Sequence, residues 1–190
     1  MGTQYDEIEI FKRNVTSFAE TSKDTDSDEV KYMTQSEIKV VNFDEVKNEY
    51  IRDMKLPITP CSNDALYVDA DKKYYLVEFK NGKMNKLKIY NVQNKIYDSL
   101  LIFCDIVNQN ISFCRENVSF ILVYNEGKNP LEEGKQENPR VAIGKYFSAK
   151  ANKKFIRFDL EKFRTLYFKD VDTFTEKEFE EKFINKVTLC

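Results

Sequence analysis

The sequence predicts an α/β fold, and three observations carry that expectation. Phe43, Val46, Tyr50 and Met54 recur at helical spacing, and two short strand-like runs follow at 65–69 and 73–80. A long helical stripe then begins near Leu87 and ends near Asn108. The nearly continuous apolar run Val118–Tyr124 closes the series, and it suits a strand covered on both faces. Helices alternate with strands, as a layered α/β domain requires.

Taken in order, residues 1–20 are expected to form a helix through Ile8, Ile10, Phe11 and Val15. The polar, acidic stretch 21–29 reads as a loop, and Ile38–Val41 as a short strand. Asn42 caps the helix that carries Phe43, with Glu45 at the position that completes a capping box. Pro57 and Pro60 end that helix. The stripe of the long helix is Ile89, Val92, Ile96, Leu100, Phe103 and Val107. Beyond Tyr124 come a polar loop (127–139), a helix over 141–150, a strand at 155–158 and a final helix from about Thr175 to Lys186. At 190 residues the chain suffices for one domain with a sizeable core. That single domain divides into an N-terminal extension (1–41), a core (about 42–126) and a C-terminal elaboration (127–190).

Chemistry concentrates on the hairpin. Alternation along 73–80 places Leu76, Glu78 and Lys80 on one face and Tyr75, Val77 and Phe79 on the other. If Asp69 pairs with Lys73 about Asp71, the register brings Asp64 opposite Glu78; a slip of one residue is the alternative, because the link lacks Gly. Opposed carboxylates repel, and a divalent cation would turn that penalty into a binding site.

Composition removes whole mechanisms. There is no His, so Ser-His-Asp and Cys-His catalysis and His-ligated zinc are excluded. Cys61, Cys104, Cys114 and Cys190 show no zinc-ligand spacing and read as reduced, mostly buried thiols. No apolar run approaches a membrane span and no leader is recognisable, so a cytoplasmic protein is expected. Eight acids crowd residues 1–30, whereas seven lysines against Glu78 alone lie in 72–95, the segment expected to draw a polyanion.

The element order, together with Asp64…Glu78-Phe79-Lys80, resembles the PD-(D/E)XK nuclease superfamily over roughly residues 42–126. Gln93-Asn-Lys-Ile-Tyr97 on the long helix is similar to the Gln-x-x-x-Tyr motif of its exonuclease branch. The resemblance implies a restriction-endonuclease-like core, with a central mixed β-sheet flanked by helices. It implies that Asp64, Glu78 and the Phe79 carbonyl bind Mg²⁺ or Mn²⁺ and that Lys80 serves the attacking water and the phosphate. Gln93 and Tyr97 are implied near the metal, and a helix glutamate joins them, Glu49 in preference to Glu45. One departure is that Asn63 precedes Asp64 where the family name implies Pro. The implied partner is nucleic acid, DNA before RNA, with no membrane; whether copies of the chain associate is left open. Two other readings stand beside hydrolysis: an inactive nuclease-fold module that binds a partner, and a decoy whose acidic N-terminal stretch mimics nucleic acid.

Overall fold

The structure is a computed structural model that describes residues 8–24, 30–131 and 155–188. Its centre is a six-stranded mixed sheet with helices on both faces. In spatial order the strands are β1 (Val15–Ser17), β4 (Lys39–Asn42), β5 (Ala65–Val68), β6 (Tyr74–Lys80), β7 (Val118–Tyr124) and β8 (Asp170–Thr175). The first four are antiparallel to their neighbours, while β6, β7 and β8 run parallel. A small separate ribbon pairs β2 (Lys23–Asp24) with β3 (Lys31–Tyr32). The outer strands of the main sheet thus come from the N-terminal and C-terminal parts of the chain.

Alternation sorts the strands' side chains into two cores. Leu66, Leu76, Phe120 and Leu122 pack with Val46 of α3 (Phe43–Met54) and with Val92, Ile96 and Phe103 of α4 (Lys86–Ile106). Ala65, Val77, Phe79, Ile121 and Val123 pack with Phe18 of α2 (Phe18–Thr21) and with Phe179 and Phe183. The latter two lie on a C-terminal helix that starts as α6 (Glu176–Phe179), passes through a π-helical segment (Glu180–Ile184) and ends as α7 (Asn185–Thr188). Asn42 caps α3 through the Glu45 N–H, and Asn85 caps α4 through the Lys88 N–H. With buried strands on both sides of it, β7 is covered almost throughout, which accounts for its unbroken apolar sequence.

Several sequence expectations change. The N-terminal helix is short, α1 (Glu9–Arg13), and Val15 instead opens β1, pairing with Val41. The β-branched Val15-Thr16 pair suits that extended edge. The run 155–158 is no strand, since Phe158 and Asp159 take left-handed backbone angles (φ 61° and 56°). Its Phe158 ring serves packing: it meets Tyr124 at 5.1 Å, with the Arg157 guanidinium over both rings. The strand that pairs with β7 is β8, and α5 (Ile111–Asn117), capped by Asn110, leads into β7. Met54, expected inward, is 56% exposed at the C-terminal end of α3. The helix expected over 141–150 lies outside the described residues.

Cys61 is exposed, Cys104 half-buried and Cys114 buried, and all three are free thiols. No described helix is long and apolar enough to cross a membrane.

Candidate functional site

The hairpin register is that of the Asp69–Lys73 pairing. Ala65 faces Val77, Leu66 faces Leu76 and Val68 faces Tyr74, which leaves Asp64 beside Glu78 just past the last pair. The turn lacks Gly, yet Lys72 adopts the left-handed angle (φ 59°) that a bulged turn needs. Asp69 stabilises this conformation, because its Oδ1 accepts from the N–H groups of Asp71 (2.9 Å) and Lys73 (2.8 Å). A side chain therefore fixes the register where a glycine was missing.

Glu78 is completely buried on the sheet face that packs against α4. A buried carboxylate is tolerable only with compensating partners. Lys80 Nζ lies 2.5 Å and Lys95 Nζ 2.8 Å from Glu78 Oε1, and Asn63 Nδ2 donates to Oε2 at 3.1 Å. Asp64 is held from both ends: the Phe79 N–H donates to Oδ2 (2.6 Å) and Lys95 Nζ to Oδ1 (3.0 Å). The Lys95 ammonium thus bridges the two carboxylates, and two negative charges balance two positive ones.

Electrostatics follow from that arrangement. Burial, and then the neighbouring Glu78 charge, push the Asp64 carboxyl up to about 7 despite both lysines. Burial acts on Glu78 in the same sense, but Lys95 and Lys80 overcome it and keep that carboxylate below its ordinary value. Glu78 therefore stays ionised, and Asp64 takes the first proton. Burial works against the Lys95 charge, yet Glu78 and Asp64 raise its pKa above that of an ordinary lysine.

Lys95 is the residue that sequence reading missed, although it lies within Gln93-Asn-Lys-Ile-Tyr97. Its signal was position: Lys95 falls next to the buried stripe, one turn after Val92 and one before Ser99. This flank of α4 also holds the chain entering β5. Ser99 Oγ accepts from the Asn63 N–H (2.7 Å), and Asp98 Oδ2 from the Cys61 N–H (2.8 Å). Asn63, which stands where the resemblance calls for Pro, is a second missed residue through its bond to Glu78. Its own Oδ1 is buried without a hydrogen-bond donor among the described residues.

Three expected site residues lie elsewhere. Gln93 accepts from Lys162 Nζ at 2.9 Å, and the Tyr97 ring packs on Phe163 and Tyr167 (5.3 and 5.9 Å between centroids). Both lie on the far flank of the stripe, because positions two apart on a helix point about 160° away from each other, so 93 and 97 each oppose 95. Glu49 bonds to Arg13 and Asn14, which ties α3 to α1; the Arg13 bond chiefly holds its pKa low. Glu45 is exposed. The acid of α3 that reaches the site's surroundings is Asp44, which accepts a hydrogen bond from Ser62 Oγ.

Beside the acid pair opens a cleft of about 500 Å³, lined by four acids (Glu20, Asp24, Asp44 and Asp64) and four lysines (Lys23, Lys80, Lys88 and Lys128). Its wall is stiffened by Asn81, whose Nδ2 donates to Asp24 (2.7 Å) and whose Oδ1 accepts from Asn125 (2.9 Å). The lysines of 72–95 do not form one surface. Lys73 binds Asn117 at 2.7 Å, and Lys80 and Lys95 serve the carboxylates.

As a metal site the donor set is small but suitable. Asp64 Oδ1 and Glu78 Oε1 already converge on one cation, and their second oxygens are engaged by N–H donors. Hard carboxylate oxygens suit Mg²⁺, which keeps several waters and needs few protein ligands. No group of three or more carboxylate or thiol side chains suited to a metal occurs among the described residues. No protein-family model, no curated protein and no solved structure matches the chain.

Proposed function

We propose that this protein is a Mg²⁺- or Mn²⁺-dependent nuclease of the PD-(D/E)XK type, with a restriction-endonuclease-like core, that hydrolyses phosphodiester bonds of nucleic acid. DNA is the preferred substrate on the strength of the resemblance. The observation that carries the reading is the convergence of Asp64 Oδ1 and Glu78 Oε1 on a single cation position beside Lys80. A divalent ion held by these oxygens and the Phe79 carbonyl would make water a better nucleophile and offset charge on the phosphate.

The chain's own groups supply the rest. Asn63 holds Glu78 Oε2, so that Oε1 stays aimed at the cation position. Lys80 is anchored at Glu78 and lines the cleft, within reach of a phosphate oxygen or of the water that attacks it. Lys23, Lys88 and Lys128 line the same cleft and hold the polyanion's backbone.

A second reading draws on one observation. Because Lys95 neutralises the pair, the fold also suits a module that binds a protein or nucleic-acid partner without catalysis. The two readings part in a cleavage assay on single- and double-stranded DNA and RNA with added Mg²⁺ or Mn²⁺. Metal-dependent cleavage is expected, reduced at least about a hundred-fold in Glu78→Ala and in Lys80→Ala. Cleavage that persists in both variants would remove the mechanism, and absence of cleavage in the wild type would favour the binding module.

A further inference from the structure

The Lys95 ammonium lies where a metal would have to go. It is 3.0 Å from Asp64 Oδ1 and 2.8 Å from Glu78 Oε1, the two oxygens that Phe79 and Asn63 leave open. With Lys80 also on Glu78, the four charges sum to zero, so a divalent ion entering an unchanged cluster would meet two ammoniums at close range. Like charges at that distance in a buried site are strongly unfavourable. Metal and Lys95 cannot share the position. The Lys95 side chain is 22% exposed, so a way out exists, and Asp64 itself lines the cleft.

We propose that Lys95 is an internal competitor for the divalent ion: it holds the cation position in the metal-free protein and is displaced when metal binds. This rests on the nuclease reading and deepens it. The displaced ammonium needs a new anion, and the cleft offers carboxylates at Asp24 and Asp44 as well as room for a phosphate. Lys95 is in this sense a positioning residue that sets when the site becomes charged.

The test is Mn²⁺ binding by calorimetry to the wild type, Lys95→Gln and the double variant Lys95→Gln/Glu78→Gln. Lys95→Gln is expected to bind Mn²⁺ at least about ten-fold tighter than the wild type, the equivalent of one lost competing contact. The double variant is expected to lose that binding. Should Lys95→Gln fail to fold, the wild type decides through amine acetylation read by mass spectrometry. Lys95 is expected to react several-fold faster at a Mn²⁺ concentration that saturates the calorimetric site. Affinity in Lys95→Gln equal to or weaker than in the wild type, or Lys95 labelling unmoved by saturating Mn²⁺, overturns the proposal while leaving the metal site intact. Mn²⁺ binding by none of the proteins overturns both.

Discussion

The two flanks of α4 carry polar residues of similar type and do different work. On one, Lys95, Asp98 and Ser99 grip the chain from Cys61 to Asp64 and complete the charge pair. On the other, Gln93 and Tyr97 meet Lys162, Phe163 and Tyr167 and fasten the segment that precedes β8. A motif spaced four residues apart specifies a helix side, but which side reaches the chemistry depends on where the sheet packs. Here the sheet presents Glu78 to the Lys95 flank.

The sharpest way to break this contrast is through pH. Asp64 has a folded-state pKa of about 7, above its ordinary 3.8. A carboxyl whose folded value is raised favours the folded state when protonated. That contribution is complete below about pH 4 and disappears as the pH rises through 7. Asp64→Asn keeps the neutral form at every pH, so its stability relative to the wild type is expected to climb between pH 5 and 7. The climb is at most about 1.4 kcal/mol per pH unit. Urea unfolding at a series of pH values measures it, and a flat difference would mean that Asp64 is charged throughout.

Alanine substitutions compare the flanks directly. Ser99→Ala removes the acceptor of the buried Asn63 N–H and is expected to cost about 1–2 kcal/mol. It should also lower cleavage, because Asn63 holds Glu78. Gln93→Ala removes a half-exposed contact and is expected to stay within about 0.5 kcal/mol, with cleavage unchanged. Equal losses of activity in the two variants would show that the far flank also serves the site.

Much of this was legible in the sequence, for physical reasons that differ by element. β7 declared itself because a strand covered on both faces must be apolar, and α4 because its stripe is long. The hairpin was readable through alternation, although Asp69 did the work assigned to a missing glycine. β8 escaped because it is a half-buried strand whose inward residues are Val171, Thr173 and Thr175 among charges, too polar to stand out. The run 155–158 misled in the opposite sense, since Phe158 packs on Tyr124 without strand pairing. Lys95 was missed because a lysine on a helix is read as solvated until the sheet beneath it is known to carry a buried glutamate.

The site is a pair of carboxylates arranged to hold one cation, and a crystal soaked in Mn²⁺ reads that arrangement most directly. An anomalous peak in coordination distance of both Asp64 and Glu78, with the Lys95 side chain withdrawn, is the result expected. An empty site at saturating Mn²⁺, with Lys95 still lodged between the two acids, would contradict the account.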